Sequence, residues 1–193
     1  MSPKRAASGG LFLLVVLIWA WLLTLWTHEL GHVVGAWLTG STVQRVVLHP
    51  LAFSRTDVHP NHNTLIVVWA GPIGGCAFGG LVSLLFVALR RRLVTVAIFG
   101  GGLCWLVNAV YIGVGAVAPV ADAQTMIDAG SPRWVLAAFG LLVGVPGYLL
   151  IRRGATRLRN QIEENQQFTA DTTIVAGCAA ALVVAGLVLF PGP

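Results

Sequence analysis

The sequence predicts an all-α integral membrane protein: a polytopic bundle of about five transmembrane helices, with a short strand-like loop after the first. Three observations lead there. Of the 193 residues, 56% are hydrophobic and only 10% are charged, and the mean hydropathy is +0.82, far from the balance of a soluble domain. The apolar residues gather in runs long enough to cross a hydrocarbon layer ~30 Å thick. The arginines fall at the ends of those runs, where they anchor the membrane surface. The net charge of +5 therefore points to the lipid bilayer and not to nucleic acid. At this length the chain is read as a single membrane domain, 1–193, with no separate soluble domain. Cys76, Cys104 and Cys178 all lie in apolar runs without a CxxC pair, so neither a zinc ribbon nor a disulfide framework is expected.

Residues 1–10 form a short polar tail carrying Lys4 and Arg5. A basic start before an apolar run can mark a cleaved signal peptide. The run from Leu11 continues to Leu38 with no clear small-residue cleavage motif ahead of it, so it reads as an uncleaved first span, 11–38. At ~1.5 Å per residue such a helix reaches ~42 Å, and it must tilt or project beyond the hydrocarbon.

Inside this span stands Trp26-Thr27-His28-Glu29-Leu30-Gly31-His32. Residues i and i+4 share a helix face, so the imidazoles of His28 and His32 can bind one Zn²⁺. Glu29 follows the first ligand, placed to move protons to and from a water at the metal. An HExxH can arise by coincidence in a charge-rich soluble helix. A carboxylate in a span costs about 2.5–3.5 kcal/mol on insertion scales, and a cluster that costly points to a metal site.

Residues 40–63 connect the first two spans. Val43-Gln44-Arg45-Val46-Val47-Leu48 is β-branched and bounded by turn formers, which predicts one or two short strands. His49, His59 and His62 in this stretch read as ordinary loop or interfacial histidines. The second span, 64–89, repeats glycine every four residues at Gly71, Gly75 and Gly79, with Pro72 beside the first. Small residues at this spacing let helices approach closely, and a kink at Pro72 would open a cavity. Arg90, Arg91 and Arg92 end the span.

The third span, 93–117, holds one mid-span polar group, Asn108, read as an interhelical hydrogen bond. Gly113, Gly115 and Pro119 weaken its C-terminal end. A loop follows, then a fourth span at 134–151, an amphipathic or partly disordered connection at 152–171, and a fifth span at 172–190. Spans four and five carry no ionisable residue and read as packing helices.

If the first three spans alternate in direction, the C-terminal ends of spans one and three share a membrane side. Asp122 can then bring an oxygen ligand to His28 and His32. Asp128 is its nearest rival, and a helix cap for residues 123–129 is the structural alternative. Nine basic residues lie on the N-terminal side and three, Arg45, Arg55 and Arg133, on the side of the cluster. The positive-inside rule then puts the N-terminus in the cytoplasm and the mouth of the site outside.

With HELGH in the first span, Gly71-Pro72 in the second and Pro119-x-x-Asp122 closing the third, the chain resembles the site-2 protease family. These are intramembrane zinc metalloproteases of the M50 class, and the likeness is to the compact M50B-like branch over roughly residues 11–135. The resemblance implies Zn²⁺ held by His28, His32 and Asp122, with Glu29 as the catalytic acid/base. It implies a transmembrane protein or peptide as substrate, a prokaryotic cell membrane as setting, and a site near the cytosolic face, opposite to the charge count. The segment after Gly40 resembles the family's membrane-associated β-loop, and residues 43–48 would pair with an extended substrate. Two positions depart from the family's Asn-x-x-Pro-x-x-Asp-Gly pattern: Ala116 stands for the Asn and Ala123 for the Gly. On a continuous helix Asn108 lies about 21 Å from Asp122 and could not substitute.

Two other readings compete. One is a non-proteolytic membrane protein, either a pseudoprotease that binds helices or a metal carrier. The other is a metalloprotease with a Glu as third ligand, but Glu163 and Glu164 fall on the wrong side. The sequence carries no signal of oligomeric state.

Overall fold

A computed structural model describes residues 3–48, 54–89, 93–163 and 169–190. The elements follow in the order α1 (Pro3–Leu38), β1 (Val43–Val47), β2 (Arg55–Val58), α2 (Thr64–Leu89), α3 (Val94–Gly115), α4 (Ala121–Asp128), α5 (Arg133–Glu163) and α6 (Thr169–Leu189). Five of the helices, α1, α2, α3, α5 and α6, are long and apolar enough to cross a membrane. The protein is a multi-pass membrane protein. His49 and the arginines at 90–92 lie outside the described residues.

The strongest departure from the expected boundaries is in α5. The stretch expected as a connection continues the fourth helix to Glu163. Its Arg, Leu, Ala, Gln and Glu residues are good helix formers. Leu158 is buried in the core, and Thr95 Oγ1 donates to Gln161 Oε1 at 3.0 Å, so α5 gains packing along this extension. The first helix likewise begins at Pro3 instead of at 11: proline is favoured in a first helical turn, and the helix continues through Gly9 and Gly10. Residues 164–168 lie outside the described residues.

The main core joins α1, α3, α5 and α6 through Phe12, Val16, Trp19, Leu23, Val96, Phe99, Leu158 and Val175. The α3 and α5 backbones meet at glycine: a Cβ on Gly113 would lie 3.0 Å from Gly140 Cα, the close approach that small residues permit. Of their apolar windows, α5 and α6 bury only 11% and 17%, against 56% for α3. Their outer faces, with Leu141, Leu142, Val184 and Val188 exposed, are therefore the lipid-facing ones.

Helix α1 ends at Leu38, and Gly40, with a φ of +67°, lets the Ser41 N–H return to Ala36 O at 2.8 Å and turns the chain into the hairpin. There β1 and β2 pair antiparallel, Val46 opposite Thr56 and Val47 opposite Arg55. At the far end of α3 the helix stops at Gly115. Val120 is extended, and Ala121 has a φ of +45°, a strained value for a residue with a side chain. The chain reverses there into α4. Ala123 and Met126 seat α4 in a second core with Val68, Ile112 and Leu136.

Candidate metal centre

His28 and His32 lie one turn apart on α1, with their ring centroids 4.9 Å apart and the planes at 75°. Their Nε2 atoms are 3.1 Å apart. The reversal after α3 brings Asp122 Oδ2 to 2.9 Å from His28 Nε2 and 3.4 Å from His32 Nε2. Asp122 lies in the first turn of α4, and its carboxylate joins the imidazoles.

The outer nitrogens explain why the inner ones converge. His32 Nδ1–H donates to Val67 O at 2.8 Å, an atom that can only accept. Asn108 Nδ2 donates to Cys104 O at 2.8 Å, which turns its Oδ1 towards His28, where it accepts from Nδ1–H at 2.7 Å. With both Nδ1 atoms protonated, each neutral imidazole presents an Nε2 lone pair to the same spot. Two lone pairs and a carboxylate facing one another call for a positive charge between them, a proton or a metal ion. The three separations lie near the ~3.3 Å edge of a tetrahedron with bonds of ~2.05 Å, the dimensions of a zinc site. The donor set fits Zn²⁺.

Asp122 lies outside the spanning helices. Burial alone would raise its pKa. When a proton and not a metal sits among them, the imidazoles donate to Asp122 and their positive charge outweighs burial, holding its pKa well below the usual carboxylate range; proton and metal ion compete for one spot.

Glycines on α2 make room for this arrangement. A Cβ on Gly71 would overlap the His32 imidazole, and one on Gly75 would overlap the Asn108 amide. A Cβ on Gly31 would overlap Ala70 O, so the α1 and α2 backbones touch beside the cluster. Helix α2 runs unbroken through Pro72.

Glu29, 2% exposed, accepts a hydrogen bond at Oε2 from Thr56 Oγ1 at 2.7 Å. Glu29, both histidines, Asp122, Asn108 and Tyr111 line one cavity of about 1000 Å³. Its rim is β2, with residues 54–59, while no residue of β1 lines it. The strand beside the cluster is thus β2 and not the 43–48 segment expected.

Of the remaining candidates, His59 lines the cavity, and the one metal-competent group among the described residues is His28, His32 and Asp122. Asp128 instead accepts from Gln124 at the surface. Asn108 makes the interhelical bond expected of it, and makes it to His28, so it belongs to the cluster. The chain turns back after α3, which cancels the separation of about 21 Å expected along a straight helix, so that Asn108 and Asp122 meet opposite nitrogens of one imidazole. Tyr111 escaped the sequence reading. Its hydroxyl accepts the Asp122 N–H at 3.2 Å, and its ring meets His28 edge-on at 5.9 Å. Its spacing of three from Asn108 on one helix face was the available signal.

Replacing Asn108 with Leu should remove the acceptor that fixes His28's tautomer and lower zinc affinity about 10–100-fold. Competition against a chelating dye would measure it, and an unchanged affinity would deny Asn108 this role.

Fold and site together define a polytopic membrane protein with a two-histidine, one-carboxylate cluster and an adjacent glutamate. The chain belongs to the Peptidase M50B-like family, which it matches over residues 7–151, from α1 to the middle of α5. Comparison with curated proteins and with solved structures returned no match.

Proposed function

We propose that this membrane peptidase-family protein is an intramembrane zinc metalloprotease. It would hydrolyse peptide bonds within or near transmembrane segments of other proteins, in regulated intramembrane proteolysis. The observation that carries the reading is the meeting of His28, His32 and Asp122, from two distant parts of the chain, beside the Glu29 carboxylate at one cavity. His28, His32 and Asp122 would hold the ion, leaving a position free as in catalytic zinc sites. Bound there, Zn²⁺ supplies Lewis acidity that lowers the pKa of water to about 7 and polarises a carbonyl.

The chain's own residues do the rest. Glu29 takes a proton from the attacking water and delivers it to the leaving amine. Asn108 and Val67 O keep the imidazoles in register. A helical substrate has its carbonyls hydrogen-bonded, so it must unwind locally, and β2 at the cavity rim is the strand with which an extended segment would pair. The setting that goes with this reading is a prokaryotic cell membrane.

A metal carrier would need ionisable groups along a path; the apolar stretches 64–89, 134–151 and 172–190 carry no Asp, Glu, His, Lys or Arg, and family membership favours the peptidase. The test is zinc content together with cleavage of a transmembrane peptide by the purified protein. Chelation should abolish cleavage and added Zn²⁺ should restore it. Cleavage that survives complete stripping would overturn the proposal.

A further inference from the structure

Glu29 is an ionisable group buried on a membrane-spanning helix, and such a group needs a hydrogen-bond donor. The donor comes from outside the bundle. Thr56 Oγ1 in β2 lies 2.7 Å from Glu29 Oε2, and the next acceptor, Glu29 O, is 3.5 Å away. The pleat sets this aim. Alternate residues of a strand face opposite sides: Arg55 and Asp57 pair with each other at 3.3 Å on the open side, where their side chains are 54% and 45% exposed. Thr56 is left facing α1. Pairing with Val46 fixes the register, and a slip by one residue would turn the hydroxyl away.

We infer that Thr56 is a positioning residue for proton transfer, an inference that rests on the protease reading. Its hydroxyl holds one oxygen of the Glu29 carboxylate, leaving Oε1 to exchange protons with water in the cavity. It also ties the orientation of the base to the hairpin, whose second strand lines that cavity. Substrate lying along β2 and the group that serves its hydrolysis are thereby held in one frame.

Thr56→Val keeps the β-branched shape and removes the donor, whereas Thr56→Ser keeps the donor. The experiment measures kcat, KM and zinc content for the full, zinc-loaded chain in lipid vesicles, with a transmembrane peptide as substrate. T56V should lower kcat about tenfold to a hundredfold, the effect of losing a hydrogen bond to a charged group. KM and zinc content should stay within about twofold of native, and T56S should recover most of kcat. In the metal-free protein, amide hydrogen exchange at 55–58 should quicken in T56V and stay native-like in T56S.

A native kcat in T56V overturns the inference, and so does unchanged exchange. A loss of zinc shared by T56V and T56S also overturns it, because the role is then structural. E29Q separates the two levels. If E29Q is inactive and T56V is native-like, Thr56 alone is wrong; if E29Q cleaves like native, the protease reading fails and takes this inference with it.

Discussion

Glu29→Gln should give a protein that binds zinc normally and cleaves about 10²–10⁴-fold more slowly, the range for loss of a general acid/base. Gln is nearly isosteric, and its side-chain oxygen can still accept from Thr56, so the hairpin keeps its anchor. It cannot take a proton from water at neutral pH. Glu29 is not among the three converging side chains, so metal content should not follow activity. Zinc stoichiometry and peptide cleavage measured on one preparation decide the matter. Undiminished turnover in E29Q would remove Glu29 from the chemistry. A native protein that holds zinc, binds a transmembrane peptide and never cuts it would instead favour the helix-binding pseudoprotease.

The second large effect is expected at a residue with no side chain. Gly71→Ala adds one methyl group where the His32 imidazole lies. Overpacking of this kind costs about 1–3 kcal/mol in a packed interior. Ligands must be held to within about 0.5 Å, so the larger consequence is for the metal. Zinc affinity should fall about 10–100-fold, with cleavage falling in parallel. Gly80→Ala on the same helix is the control, because its Cβ would meet only Trp105 Nε1, at an ordinary 3.7 Å. Dye competition on both variants measures the contrast. If G71A binds zinc as tightly as G80A, His32 is not confined in this way.

What the sequence revealed and what it concealed divide along the range of the interaction. The HELGH spacing is local: a helix period places His28 and His32 on one face whatever surrounds them. Asp122 was accessible through a coarse topological argument, since alternating spans restrict which loop ends can meet. The glycine repeat of α2 was legible as close packing, but not what it accommodates, since the imidazole and amide beside Gly71 and Gly75 arrive from other helices. A straight helix would separate Asn108 from Asp122, and only the reversal between α3 and α4, invisible in local sequence, cancels that distance. Thr56 was beyond reach. A threonine in a short strand is ordinary, and only tertiary structure brings it against a buried carboxylate.

The three proposed ligands do not share one mechanical body. Two ride on α1, deep in the bundle, while Asp122 sits on α4, an eight-residue helix outside the spans, reached through the left-handed backbone at Ala121. An ion seated among them would act as a clasp, fastening a peripheral element to the central one. Its binding energy would be spread over the position of α4 as well as the chemistry of the cluster. Occupancy and the posture of that small helix would then rise and fall together.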